Sequence, residues 1–262
     1  MTESISKHIP FFAGYLQFDV RSGAIEQNLA SMQKGLEQIV TSSPRVSPGI
    51  VVLPELWGTG FAYEKIPEIT KRMPEILENL HTLAALYGLY IAGSLPAHED
   101  DSYYNTLFIT GPEGLSGTYR KQRLFSPMAE ETFFTPGTQP QPVQTDLGSI
   151  AALVCYDLRF PELLRAQTAL GSDLLVISAQ WPAARIDHWR ILIQARAIEN
   201  QMFVIASNRC GKSDNTIFGG HSMIVGPDGS ILLEAGEDEE YKGTVIEPGM
   251  ISSARSLFRT VP

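Results

Sequence analysis

The feature that most constrains this chain is the exchange of two apolar periodicities along it. Phe11–Phe18 is an unbroken apolar run, Leu29, Met32, Leu36 and Ile39 then recur at helical spacing, and Gly49-Ile-Val-Val-Leu-Pro54 is again a buried-looking run. That is a β-α-β opening. Ile69, Met73, Ile76, Leu80, Leu83 and Tyr87 predict a second helix, which stops at Gly88 before the run Leu89-Tyr-Ile-Ala-Gly93. The runs Ile150–Val154, Leu174–Ser178 and Phe203–Ser207 follow further on, separated by helical stretches near Phe160–Leu170 and His188–Asn200. Two segments break the alternation. Tyr103–Tyr119 and His221–Leu233 each read as strand, tight turn, strand, with Gly111-Pro-Glu-Gly114 and Gly226-Pro-Asp-Gly229 as the turns.

Strands that are apolar throughout need both faces covered, so the helices belong on the outsides of the sheets. Combined with the two hairpins, this predicts a mixed α/β fold in which two sheets stack and helices cover both outer faces. At 262 residues the chain is long for one domain and short for two. No linker is long or polar enough to split it, so 1–262 is expected to be a single domain.

A net charge of −9 and a pI of about 5.1 disfavour a phosphate-backbone partner, which needs a basic surface. Met1 to Ser6 lacks a basic and apolar leader pattern, and no apolar run approaches the ~20 residues that cross a bilayer. A cytoplasmic protein is expected. Two cysteines, Cys155 and Cys210, are too few for a disulfide framework and suit a reducing compartment.

Three polar residues stand where an apolar strand ends, the position at which α/β sheets gather reactive groups. Glu55 follows Val51-Val-Leu-Pro54, Lys121 follows Gly117-Thr-Tyr-Arg120, and Cys155 follows Ile150-Ala-Ala-Leu-Val154. Of these only the thiol is a strong nucleophile near neutral pH. Tyr156-Asp-Leu-Arg-Phe-Pro161 turns into a helix directly after it, which predicts a strand-to-helix elbow and a thiol pKa lowered by the helix N-terminus. Glu55 lies among apolar neighbours, where a carboxyl holds its proton more tightly and becomes useful as a base. Taken singly, each has an ordinary alternative: a small buried hydrophobe, a strand-end acid, and one lysine of a solvated basic cluster. Together they supply a proton acceptor, an oxyanion stabiliser and a nucleophile, the minimum for acyl transfer through a thioester.

Leu53-Pro-Glu-Leu-Trp-Gly-Thr-Gly-Phe61, Tyr119-Arg-Lys-Gln-Arg-Leu-Phe125 and Leu153-Val-Cys-Tyr-Asp-Leu-Arg-Phe-Pro-Glu162 resemble the Glu, Lys and Cys motifs of the nitrilase, or carbon–nitrogen hydrolase, superfamily. The resemblance covers nearly the whole chain. It implies a four-layer α-β-β-α sandwich, pairing into a homodimer or larger homo-oligomer, and neither metal nor organic cofactor. It also implies a second glutamate before Phe134-Thr-Pro-Gly137; counting back gives Glu130, with the adjacent Glu131 as the alternative. Cys155-Tyr-Asp-Leu-Arg-Phe-Pro161, Trp181-Pro-Ala-Ala-Arg185, His188-Trp189 and Ala195-Arg-Ala-Ile-Glu-Asn200 are most similar to the omega-amidase branch. That branch implies a small-molecule substrate, a dicarboxylic monoamide such as 2-oxoglutaramate or 2-oxosuccinamate. The same three groups would also serve nitrile or N-carbamoyl hydrolysis. The backbone N–H of Tyr156 is the expected partner of Lys121 at the oxyanion. Phe61 and Trp181 are candidate pocket walls, with core packing the alternative. Arg185 is the candidate cation for a substrate carboxylate, with an exposed loop arginine the alternative.

Other signals carry less. Gly211-Lys-Ser213 lacks the glycine a phosphate loop needs at position 206, which is Ala206, and Gly58-Thr-Gly60 reaches Tyr63 where a dinucleotide fingerprint has its third glycine. The histidines, His8, His81, His98, His188 and His221, show no metal-ligand spacing, and His98-Glu-Asp-Asp101 reads as a solvated loop. The surroundings of Cys155 do not resemble a papain-type motif. The rival from another class is a non-catalytic binding or scaffold protein that keeps the fold.

Overall fold

Alternate residues of the first strands take opposite sides, and this decides the layering. Phe11, Ala13 and Tyr15, with Ile50, Val52, Tyr90 and Ala92, pack into one core, whereas Phe12, Leu16, Val51, Leu89 and Ile91 pack into another. A strand buried on both sides in this way must lie between two layers. The computed structural model describes residues 9–42, 47–138, 140–258 and 260.

One sheet is built from β1 (Phe11–Gln17), β2 (Gly49–Val52), β3 (Leu89–Glu99), β4 (Ser102–Gly111) and β5 (Gly114–Arg120). The other holds β6 (Val143–Thr145), β7 (Gly148–Val154), β8 (Leu174–Ala179) and β9 (Phe203–Asn208). After the small pair β10 (Lys212–Ser213) and β11 (Thr216–Ile217) come β12 (Met223–Val225), β13 (Ile231–Glu234) and β14 (Glu240–Ile246). The strand orders are β14-β1-β2-β3-β4-β5 and β13-β12-β9-β8-β7-β6. Each sheet has a parallel centre, β1-β2-β3 or β7-β8-β9, flanked by antiparallel strands. The expected hairpins are β4–β5 and β12–β13.

The helices are α1 (Ile25–Ser42), α2 (Ile66–Ile69), α3 (Met73–Tyr87), α4 (Pro161–Thr168), α5 (Ile186–Asn200) and α6 (Gly249–Leu257). Met32, Leu36 and Ile39 of α1 and Ile76, Leu80 and Leu83 of α3 pack on the outer face of the first sheet. Leu163 and Leu164 of α4 and Trp189, Ile193 and Ala197 of α5 pack on the second. The layers are therefore α, β, β, α, as expected. Among the described residues no helix is long and apolar enough to cross a membrane.

Two local expectations change. The helix expected from Ile69 begins at Met73; α2 and a 3-10 turn, Thr70–Arg72, precede it. Pro67 and Pro74 explain the division, because each occupies the start of a helix, where its missing N–H costs no bond. Gly88 ends α3 in the left-handed conformation, φ 65°, as a glycine cap does. The expected loop at His98-Glu-Asp-Asp101 is a hairpin: β3 runs on to Glu99, which pairs with Ser102, and Asp100 and Asp101 take φ of 47° and 59°. A two-residue turn of that hand matches the twist of the strands.

Candidate active site

The site forms where strands of both sheets end. Ser178 donates its hydroxyl to the Leu53 carbonyl at 2.8 Å and Ser207 donates to the Leu16 carbonyl at 2.8 Å, so the ends of β8 and β9 are tied to the ends of β2 and β1. The Glu55 N–H donates to the Ala179 carbonyl at 3.3 Å. This brings Glu55, Lys121 and Cys155, each just past its own strand, into one cluster.

Lys121 Nζ lies 2.8 Å from Glu55 Oε1 and 2.9 and 2.8 Å from the two oxygens of Glu130. All three side chains are buried. Glu131 is exposed, so the geometry selects Glu130 as the second glutamate. Glu130 Oε2 also accepts the Phe125 N–H at 2.7 Å, which fixes its carboxylate on the loop that follows β5. Asn105 Nδ2 donates to Glu55 Oε1 at 2.9 Å and to Glu130 Oε1 at 3.4 Å. Its amide orientation follows from that pair, since the flipped form would put Oδ1 against two carboxylates.

Gln180 holds the other side of Glu55. Its backbone N–H donates to Glu55 Oε2 at 3.3 Å and its side-chain amide donates to the Glu55 carbonyl at 2.7 Å. Arg209 donates to Gln180 Oε1 at 2.8 Å and to Asp19 at 2.9 Å, so the amide cannot swing away.

The Cys155 thiol adjoins the Glu55 carboxylate and the Gln180 N–H and feels the Lys121 charge. As a residue Cys155 is partly exposed, whereas Glu55, Lys121 and Glu130 are buried. Its φ is 46°, and Leu56, directly after Glu55, has φ 43°. Left-handed backbone at a non-glycine residue is strained and persists where surrounding contacts over-determine it. Ser94 supplies one such contact, accepting the Leu56 N–H on its hydroxyl at 2.9 Å.

Burial raises the Glu55 pKa; Lys121 pulls it down and Glu130 pushes it up, and the net direction is upward. Burial alone would lower Lys121, but Glu55 and Glu130 together hold it well above the ordinary lysine value, as a permanent cation. Burial and then the Glu55 charge push the Cys155 thiol well up, with Lys121 opposing. This corrects the lowered thiol pKa expected from a helix N-terminus. Cys155 opens a 3-10 turn, Cys155–Arg159, and α4 begins only at Pro161. The thiol is thus pushed toward its neutral form beside Glu55, which calls for proton transfer during attack rather than a stored thiolate.

The remaining expected residues divide. Tyr156 is half-buried, with its ring 5.1 Å from Phe125 and 5.2 Å from Phe160. Its N–H lies in the first turn after Cys155, where helical N–H groups have no partner within the helix. Phe61 is partly buried among aromatic rings, 5.6 Å from Tyr63 and 6.2 Å from Phe218. Trp181 is 2% exposed and is mainly core: its ring lies 5.6 Å from Trp189 and its indole N–H donates to the Arg185 carbonyl at 2.8 Å. The Arg185 side chain is exposed, and its one described hydrogen bond is to the Ala184 carbonyl at 3.5 Å. The structure does not bring it to the cluster.

Arg159, absent from the sequence expectations, sits on the Cys155 turn with its guanidinium 4.6 Å from the centre of the Trp181 ring. Its spacing from Cys155 within a single turn was the available signal. Asn105 and Gln180 were also missed, each being a single polar residue without a motif of its own, and Asp157 was passed over although it lies within the Cys155 motif.

A buried base, a cation fixed between two carboxylates and a thiol at a strained elbow form a constellation suited to acyl transfer. Comparison with known proteins agrees in sequence and in shape. The carbon-nitrogen hydrolase family model matches residues 13–255. A 2-oxoglutaramate amidase of Bacillus subtilis is 37% identical over 227 residues, spanning 86% of this chain and 86% of that protein. The omega-amidase YafV of Yersinia enterocolitica is 35% identical over 187 residues, spanning 71% and 72%. A CN-hydrolase superfamily protein from Xanthomonas campestris, solved with an arsenic adduct in its active site, superposes with a TM-score of 0.86 at 29% identity, covering 95% of each chain. Order of strands, cluster and relatives converge: this chain belongs to the carbon-nitrogen hydrolase family.

Proposed function

We propose that the chain hydrolyses the amide of a small dicarboxylic monoamide through a thioester on Cys155. The observation that carries this reading is Lys121 Nζ held within 2.9 Å of both Glu55 and Glu130, beside a thiol that adjoins Glu55. Glu55 accepts the thiol proton as Sγ attacks the amide carbonyl, and Lys121 with the Tyr156 N–H stabilises the oxyanion. The carbon–nitrogen bond then breaks, ammonia leaves with the proton from Glu55, and the acyl group stays on sulfur. Water attacks the thioester as Glu55 takes its proton; the acid departs and the proton returns to Cys155. Glu130 keeps Lys121 in place throughout.

The substrate class is supported by the names of the Bacillus and Yersinia relatives. A substrate carboxylate entering a partly dry pocket needs a cation. Arg159 fits better than Arg185, because it lies on the nucleophile's own turn and its described contacts are the Trp181 and His188 rings, neither of which is a carboxylate. The chain acts in the cytoplasm as a single domain, in keeping with two free thiols. It works as a homodimer or larger homo-oligomer; Ile191 and Ile198, one face of α5, are 64% and 47% exposed and offer an apolar contact.

The test is ammonia release across ω-amides, nitriles and N-carbamoyl compounds. 2-Oxoglutaramate or 2-oxosuccinamate should be cleaved far faster than a neutral amide of equal length, with Arg159→Ala narrowing the gap mainly through KM and Arg185→Ala leaving it. Equal kcat/KM for charged and neutral amides would overturn the substrate assignment and leave the Cys155 chemistry standing.

A further inference from the structure

Asp157 is buried, belongs to no step of the mechanism above, and accepts four hydrogen bonds. Oδ1 takes the backbone N–H of Arg123 at 2.8 Å and that of Gln122 at 3.3 Å. Oδ2 takes the Tyr119 hydroxyl at 2.8 Å and the Val154 N–H at 3.1 Å. Three of these donors bracket Lys121 in sequence and the fourth immediately precedes Cys155. The carboxylate therefore spans the gap between the end of β5 and the end of β7, whose strands lie in different sheets.

We propose that Asp157 is a positioning residue that sets Lys121 and Cys155 in register across the two sheets, and that it does so as a carboxylate accepting all four bonds. Three of the four partners are backbone N–H groups, which can only donate. An asparagine must turn an amide hydrogen toward at least one of them, and a buried donor facing a donor is unpaired on both sides; a protonated Asp157 avoids this only by donating to the Tyr119 hydroxyl, which reverses that bond. The Val154 bond also fixes the peptide that enters the left-handed Cys155, so its loss frees the strained elbow to relax. Lys121 Nζ and the Tyr156 N–H would then no longer converge on one oxyanion.

The charged and titratable groups around Asp157 are Tyr119 and Lys121 at the end of β5, Arg123 beyond them, and Cys155 on its own turn. From α5, Arg196 donates to the Leu158 carbonyl at 2.7 Å and pairs with Glu199. Burial raises the Asp157 carboxyl to about 6, against the opposing pull of Lys121 and of its hydrogen bonds. The sign follows: above that pH Asp157 accepts all four bonds, and as pH falls through it the carboxyl takes up a proton and the Tyr119 bond is lost or reversed, which loosens the register.

This inference rests on the thioester reading, so its test has a readout independent of the substrate. Asp157→Asn, folded as judged by its melting transition, should lose about 10²-fold in kcat with KM within a few fold, the size expected when reacting groups are misplaced by about 1 Å. Tyr119→Phe keeps the packing and removes one bond to the ionised form; its acid limb of kcat/KM should move to higher pH while the plateau stays near the parent's. Alkylation of Cys155 by iodoacetamide in the Asn variant should lose the parent's pH dependence between pH 5 and 7. Parent-like kcat in a folded Asp157→Asn protein, or an unmoved acid limb in Tyr119→Phe, overturns the assignment. If the Asn variant does not fold, the Tyr119→Phe profile decides alone. A parent that cleaves no amide, with alkylation still dependent on Asp157, defeats the substrate reading and not this one.

Discussion

Lys121 illustrates how one residue acquires a role that its sequence neighbourhood conceals. It stands in Tyr119-Arg-Lys-Gln-Arg-Leu124, a basic run of the kind usually solvated, and yet it is 3% exposed and bonded to two carboxylates. Burial is the main reason that Glu55 is pushed toward holding a proton, with the Glu130 charge adding to it against the pull of Lys121, and this suits it to serve as the base. Removing the ammonium should act twice. Lys121→Ala should lower kcat by at least roughly 10²–10³, the cost of one oxyanion donor. Lys121→Met, which keeps length and packing, should do no better in kinetics. It should also be destabilised, by less than the about 3–5 kcal/mol of a broken buried pair, because Glu55 can take up a proton. Steady-state kinetics and thermal melts check both; activity within a few fold of the parent would make Lys121 dispensable. Glu55 and Cys155 could be picked out because each follows an apolar strand, whereas Lys121, after the partly exposed β5, could be picked out only in company with them. Asn105, Gln180 and Asp157 could not, because their roles come from partners far away in sequence, such as Glu55 for Asn105. Arg185 misled for the converse reason: a basic residue after a tryptophan motif carries no information about which way its side chain turns.

At the scale of elements, the strand ends are precise only because the strands behind them cannot shift. Gly93 on β3 shows the tolerance: a Cβ there would come within 2.8 Å of both Leu53 Cβ and Trp57 Cδ1, the residues on either side of the Glu55 turn. Gly93→Ala should therefore push β3 from β2 and displace Glu55, costing about 1–3 kcal/mol of overpacking strain together with a fall in kcat. A parent-like melting temperature and kcat in that variant would show that the turn tolerates the shift. The parallel centres of both sheets, the two hairpins and the main helices could be read from periodicity, since each is a local pattern. The antiparallel pairing of β14 with β1 could not, because Glu240 and Gln17 are brought together by the closure of the fold rather than by any turn. Likewise a 3-10 turn and a helix look alike over the few residues after Cys155, and the burial of the thiol beside the Glu55 charge, on which the thiol expectation failed, is set by the far end of another strand.

At the scale of the molecule, the two sheets make one site by placing the base and the lysine on the ends of one and the nucleophile on the end of the other. The layered architecture follows from the doubly buried strands, whereas the proposed assembly of copies is argued from the exposed Ile191 and Ile198 on α5. Light scattering should give a dimer or larger species, and Ile191→Glu with Ile198→Glu should reduce it toward the monomer; a monomeric parent would refute the assembly. The proposed mechanism requires acyl transfer to a single sulfur, and the most direct measurement is mass spectrometry of enzyme acid-quenched during turnover of 2-oxoglutaramate. The predicted result is an acyl adduct on the peptide containing Cys155, retained in Cys210→Ala and lost, with all turnover, in Cys155→Ala. Sustained turnover by folded Cys155→Ala, or an adduct carried by another residue, would contradict it.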